Sequence, residues 1–270
     1  MIRFLVGPFA LLFALCGCVA VGPEPVPAAA SPSIPIALMK PEGPGPFPGV
    51  VILHDCSGLG PRSSGSPRRW AKTLVEHGYA VALPDSFTTR GFESGVCTDA
   101  AKDRARVAPA RRVADAYEAL GYLRAQTFVD PAHAGVMGGS HGGATTLLVM
   151  KAPRADGFAA GIALYPSCNG IAPYHATAPL LILAGELDDW TPAPICERLA
   201  RAATGAAVRI KVYPNARHSF DSANPKRYVA NRNNMNAPGG KGATTEGNAE
   251  AWADSIREVT AFFGAHLGSR

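Results

Sequence analysis

Charge is scarce in this chain. Only 17% of the 270 residues are charged, while 47% are hydrophobic, a balance that supplies a buried core and excludes disorder. The formal net charge is +5, but the basic residues are scattered, with only short clusters such as Arg104, Arg106, Arg111 and Arg112. A nucleic-acid binder concentrates its basic charge on one face or tail, so no nucleic-acid partner is expected. The apolar run Phe4–Leu15 is too short to span a bilayer as a stable helix. No convincing metal-ligand spacing is present, and neither a metal nor another cofactor is expected. Internal repeats and a second domain boundary are also missing, which leaves one sizeable α/β domain.

What is present begins with an export signal. Arg3 followed by Phe4–Leu15 has the layout of a secretory segment that is processed after export. The run ends in Leu15-Cys16-Gly17-Cys18, which resembles a bacterial lipobox, with Cys18 as the lipid acceptor and Cys16 where a small residue is usual. An ordinary signal peptide cut nearby, for instance after Ala20, is the alternative. Lipid on Cys18 makes a membrane anchor, each buried methylene contributing about 0.8 kcal/mol. The expected organisation is a signal segment over residues 1–18, a Pro/Ala-rich extended tether over 19–33 and the α/β domain over 34–268, exported and anchored on the periplasmic or outer side of a membrane. Of the six cysteines, removal of Cys16 and lipidation of Cys18 leave Cys56, Cys97, Cys168 and Cys196. Four is an even number in a compartment that permits disulfides, and three pairings are open.

Along the domain, short apolar runs alternate with helical patterns. Strands are expected at Val50–His54, Ala80–Leu83, Ala134–Met137, Ala159–Tyr165, Leu180–Ala184 and Val208–Tyr213, with an edge strand over Ile34–Met39. Helices are expected at Trp70–His77, from Pro109 through Leu123, and at Gly142–Met150, Cys196–Ala203 and Ala249–His266. Such alternation signals a mostly parallel sheet covered on both faces, whose ligands sit beyond the carboxyl ends of the strands. Ser86–Val107 and Asp221–Gly247 lack periodicity and are read as irregular segments bordering or covering a pocket.

The chemistry-bearing residues all follow predicted strands. Gly138-Gly139-Ser140-His141-Gly142 fits a nucleophile elbow, in which a serine sits on a tight turn between strand and helix. The N–H of His141, at the start of that helix, is a candidate oxyanion donor. A serine needs a base, and His218, in the loop after the last predicted strand, supplies it. Gly185-Glu186-Leu187-Asp188-Asp189-Trp190 offers the acid that orients the histidine. Asp188 is preferred, with Asp189 and Glu186 as alternatives. In His54-Asp55-Cys56-Ser57-Gly58, the Cys56 N–H is the candidate second oxyanion donor, and Asp55 either orients the site or bonds its own loop.

Taken in order, HDCSGLG, GYAVALPDSF, GGSHGG, GELDDWTP and YPNARHSFD resemble the dienelactone hydrolase family of α/β-hydrolases over about residues 34–268. The resemblance implies that fold, with Ser140, Asp188 and His218 at the nucleophile, acid and base positions and Cys56 and His141 at the oxyanion hole. Dienelactone hydrolases proper use a cysteine nucleophile; Ser140 here points instead to a general ester hydrolase. Arg90 falls roughly where the family holds a substrate carboxylate. The order of strands in the family's sheet further implies the pairs Cys56–Cys97 and Cys168–Cys196, against the alternative of free buried thiols. The expected activity is cleavage of a small carboxylic ester or lactone through an acyl-enzyme. Peptidase or acyltransferase chemistry on the same triad, or a non-catalytic surface binding protein, are the rival readings. The oligomeric state is left open.

Overall fold

The structure is a computed structural model and describes Met1, residues 33–98 and residues 100–268. The expected signal segment, the lipid acceptor Cys18 and residues 19–32 of the tether therefore lie outside the described residues.

The domain is built on a seven-stranded sheet. In chain order the elements are β1 (Ile36–Met39), β2 (Phe47–Leu53), α1 (Ser66–Glu76), β3 (Ala80–Pro84), α2 (Pro109–Arg124), β4 (Val129–Gly139), α3 (His141–Lys151), β5 (Ala160–Leu164), the two-residue β6 (His175–Ala176), β7 (Leu180–Gly185), α4 (Ala193–Ala202), the two-residue β8 (Thr204–Gly205), β9 (Val208–Tyr213), β10 (Arg227–Asn233), β11 (Lys241–Thr245) and α5 (Ala249–Leu267). The main sheet has the order β1-β3-β2-β4-β5-β7-β9. Its strands run parallel except β1, which pairs antiparallel with β3 at the edge.

Alternation along the strands explains how both faces are filled. Val50 and Ile52, Val81 and Leu83, and Leu181 and Leu183 face one side, where Trp70 and Leu74 of α1 and Val259 and Phe263 of α5 cover them. Val51 and Leu53, Ala80 and Ala82, and Leu180 and Ile182 face the other, beneath Leu120 and Leu123 of α2, Leu147 of α3 and Leu199 of α4. A strand buried on both faces reads as a continuous apolar run, which is why these strands are visible in the sequence.

β2, α1 and α4 begin three or four residues before their expected starts, at Phe47, Ser66 and Ala193, and two elements differ more. β4 is longer than Ala134–Met137, because Val129 already pairs with Phe47 before the register breaks and resumes at Gly49 opposite Ala134. The segment Asp221–Gly247, expected to be irregular, contains the antiparallel hairpin β10–β11. The sides of β10 are largely exposed, so no apolar alternation announces it.

The chain passes from β2 outward to β3 and returns to β4 on the other side of β2. The loops after β2 and β4 therefore part in opposite directions, and a crevice opens where strand order reverses. Those loops carry Asp55-Cys56 and Ser140.

Candidate active site

The turn after β4 is forced by glycine. Ser140 has φ 53° and ψ −113°, a strained conformation for a residue with a side chain. A Cβ on Gly142 would collide with the carbonyl oxygen of Leu53, and one on Gly138 with the backbone of Gly142. Only glycine lets β4 turn into α3 this tightly against β2. His141 is the first residue of α3, so its N–H is among those a helix cannot satisfy internally.

The structure brings Ser140, His218 and Asp188 into one line. His218 Nε2 lies 2.9 Å from Ser140 Oγ, and His218 Nδ1 lies 2.8 Å from Asp188 Oδ2. All three residues are buried. The other carboxylate oxygen of Asp188 accepts the backbone N–H groups of Trp190 and Thr191, each at 2.8 Å. The imidazole is also fixed by rings, with Tyr165 and Trp190 both at 4.7 Å between centroids.

The neighbouring acids go elsewhere. Asp189 accepts from the backbone N–H and hydroxyl of Thr244 on β11, at 2.9 and 2.7 Å. Glu186 accepts from the Asn215 N–H. Asp189 thus docks the hairpin, helped by Trp190 Nε1 donating to the Asn233 carbonyl and Asn234 Nδ2 to that of Asp189, both at 2.8 Å. On its other side the hairpin meets the histidine loop, where Thr245 bridges to His218.

Cys56 is joined to Cys97 and Cys168 to Cys196, the pairing implied by the family resemblance. The first bond ties the loop after β2 to the segment before α2, and the Val96 N–H donates to the Cys56 carbonyl at 2.7 Å. A cavity of about 680 Å³ opens above Ser140 and His218, with Cys56, Cys97 and Trp190 in its walls.

Arg90 and Asp55, the two candidates for contact with substrate, are both engaged within the protein. Arg90 does not line the cavity; its guanidinium forms a two-pronged ion pair with Asp115 of α2 at 2.6 and 2.7 Å and donates to the Ser86 carbonyl. A paired fork of this kind has few donors left for a substrate. Asp55 does line the cavity, yet its carboxylate is engaged by Ser57 and Ser64 within its own loop. It shapes the loop that carries Cys56 and does not reach outward.

Several residues go unnoticed in the sequence. Arg62 and Arg227 at the rim and Arg232 within the wall face the cavity. Burial and the neighbouring Arg227 lower the pKa of Arg232, whose guanidinium stacks on Trp190 at 4.8 Å. Thr191 Oγ1 lies 2.8 Å from Asp188 Oδ2, 3.0 Å from His218 Nδ1 and 3.1 Å from the Tyr165 carbonyl. Its signal was present: an aspartate followed three residues later by threonine is a pattern for a side chain capping its own turn. His54 and Arg112 are buried behind the site. Among the described residues no group of three His, Cys, Asp or Glu side chains is arranged to hold a metal ion.

Comparisons with known proteins bear on the fold and the family. The sequence profile of the Dienelactone hydrolase family matches residues 34–267. No curated protein sequence matches the chain. Among solved structures, a Klebsiella pneumoniae protein assigned to the dienelactone hydrolases superposes with a TM-score of 0.66 at 20% identity, over 86% of this chain and 92% of that one. Thermogutta terrifontis esterase 2 phosphorylated by paraoxon gives 0.61 at 16% identity, over 87% and 89%. The same esterase with propionate bound gives 0.59 at 17%, over 86% and 89%. At these identities the superpositions establish the α/β-hydrolase fold, and the profile match over most of the chain establishes the rest: the chain belongs to the dienelactone hydrolase family of hydrolases.

Proposed function

We propose that this protein hydrolyses a carboxylic ester or lactone through an acyl-enzyme on Ser140. The observation that carries the reading is the unbroken line from Ser140 Oγ to His218 Nε2 at 2.9 Å and from His218 Nδ1 to Asp188 Oδ2 at 2.8 Å. Ser140 attacks the carbonyl carbon and its proton passes to His218. Asp188 keeps the Nδ1 proton in place and offsets the imidazolium charge. The N–H groups of Cys56 and His141 receive the developing oxyanion. His218 then protonates the leaving alcohol, accepts a proton from the attacking water and returns it to Ser140 Oγ as the acyl group departs.

The cavity favours polar, anionic substrates over long acyl chains. Its rim carries Arg62 and Arg227 and its wall Arg232, while the one carboxylate in its lining among the described residues, that of Asp55, is already occupied. A substrate carrying a carboxylate near the ester gains charge-assisted hydrogen bonds there. Export and anchoring through Cys18 belong to the same proposal and rest on the lipobox-like Leu15-Cys16-Gly17-Cys18. The Cys18→Ser variant is expected in the soluble fraction and the unaltered protein with membranes.

The deciding experiment compares p-nitrophenyl butyrate with p-nitrophenyl hemisuccinate. Turnover of both is expected, with higher kcat/KM for the charged ester, and Ser140→Ala is expected to abolish both while leaving the fold intact. Undiminished turnover by Ser140→Ala rejects the nucleophile. A preference for the neutral ester rejects the anionic subsite. Cleavage of peptides in place of esters returns the peptidase reading.

A further inference from the structure

Behind the two candidate oxyanion loops sits a cation with no salt-bridge partner among the described residues. Arg112, in the first turn of α2, has no exposed surface. Its Nη1 donates to His141 Nδ1 at 2.8 Å, and its Nε and Nη2 have no hydrogen-bond partner among the described residues. Asp115, one turn further along α2, is taken by Arg90. The guanidinium lies 5.1 Å from the centre of the Phe87 ring. That ring also meets the edges of His54 at 4.4 Å and His141 at 5.7 Å. His54 is the residue before Asp55-Cys56, and His141 follows Ser140. One ring and one guanidinium therefore back both loops that carry the candidate oxyanion donors.

Both imidazoles in this cluster are neutral. Guanidinium can only donate, so His141 Nδ1 is unprotonated. His54 Nε2 accepts from the Ser86 N–H and its Nδ1 lies 2.8 Å from the Asp55 carbonyl, so the single proton is on Nδ1. Burial, then the charge of Arg112, hold both histidines well below their ordinary range. Burial brings Arg112 itself down only to about 10, so it stays charged at neutral pH. A buried charge without a partner is costly, and an apolar side chain of the same shape is usually at least as stable in its place. Packing alone does not account for an arginine here.

We propose that Arg112 is a positioning residue for the oxyanion hole, whose buried guanidinium fixes the His141 side chain at the start of α3 and supplies a permanent positive charge behind the point where negative charge develops. The inference rests on the ester-hydrolase reading and adds a residue to it. A unit charge acting over roughly 8 Å at an effective dielectric of about 20 corresponds to roughly a thirtyfold rate effect.

The test uses the whole mature protein, p-nitrophenyl acetate as substrate and phenylboronic acid as a probe that forms a tetrahedral adduct on the serine. Arg112→Met removes the charge and keeps the volume; Arg112→Gln removes the charge and keeps a donor for His141. Both neutral variants are expected to lose about ten- to thirtyfold in kcat with KM within about twofold, and to lose boronate affinity by the same factor. Thermal unfolding of Arg112→Met is expected at the original temperature or above. Arg112→Lys, which keeps the charge, is expected to recover part of the loss. A folded neutral variant with kcat and boronate affinity both within twofold of the parent overturns the inference. So does a fall in kcat that tracks a fall in unfolding temperature with boronate affinity unchanged, which is the mark of a merely structural residue. A parent protein that neither turns over the ester nor binds the boronate rejects the ester-hydrolase reading and this inference with it.

Discussion

Replacing Asp188 with asparagine is the sharpest way to separate the two adjacent aspartates. One oxygen of Asp188 accepts two backbone N–H groups at 2.8 Å and the other faces His218 Nδ1 at 2.8 Å. An asparagine here must keep its carbonyl oxygen toward the two backbone donors. Its NH2 then faces His218, where a second donor is unwelcome, and the imidazole is driven to the tautomer with its proton on Nε2. That tautomer cannot accept the Ser140 proton. The charge is lost as well: at 2.8 Å and an effective dielectric of about 20, an ion pair with the imidazolium amounts to roughly 6 kcal/mol. Part of that is recovered by neighbouring dipoles, so kcat is expected to fall by about 10³- to 10⁴-fold. Asp189→Asn weakens only the contacts to Thr244, at a cost of about 1 kcal/mol in stability and little in kcat. The assay is hydrolysis of p-nitrophenyl acetate by both variants beside thermal unfolding of each. An Asp188→Asn enzyme within tenfold of the parent, or an Asp189→Asn enzyme slower than it, refutes the reasoning.

Other consequences are open to measurement. Removing the Cys168–Cys196 bridge by a double serine substitution frees a loop with a sequence separation of 28, which should lower stability in urea titration by roughly 3.5 kcal/mol; kcat is expected to hold, since neither cysteine lines the cavity. Arg232→Met should lower kcat/KM for the anionic ester about tenfold more than for the neutral one, and equal losses would sink the anionic subsite. His54 and His141 are held well below 6.5 by burial and then by Arg112. The unfolded chain takes up protons at these positions as pH falls through about 6.5 while the folded state does not, so their stability contribution is full above that pH and is lost below it, at up to about 1.4 kcal/mol per pH unit for each histidine. Unfolding free energy measured between pH 7 and 5 should therefore drop, and His54→Gln should flatten the slope; an unchanged slope would count against a neutral buried His54.

Much of this was legible in the sequence because burial leaves a pattern. β5 and β7 follow continuous apolar runs since both their faces are buried, β9 keeps the alternation of a half-buried strand, and the elbow glycines are dictated by contacts that any residue with a Cβ would break. The hairpin β10–β11 left no such pattern, because β10 is largely exposed, β11 buries small and polar residues, and the pair is docked by polar bonds from Trp190, Asn234 and Asp189. Arg90 sits in the expected loop, but its partner Asp115 lies on α2, 25 positions along the chain, and no local rule announces that ion pair. Adjacent aspartates are hard to tell apart in a sequence, since which one faces the histidine depends on how their loop curls. Arg112 looks like one member of a surface cluster. Its register with Ala116, Ala119, Leu120 and Leu123, the buried face of α2, was the available sign that it points inward.

The central claim is that Ser140 is an activated nucleophile, and covalent labelling tests it most directly. Incubation of the purified protein with a fluorophosphonate, followed by intact-mass and peptide mass spectrometry, should give one adduct, carried by the peptide that contains Ser140 and absent from Ser140→Ala. A folded protein that takes up no label, or takes it up on a different residue, would contradict the account.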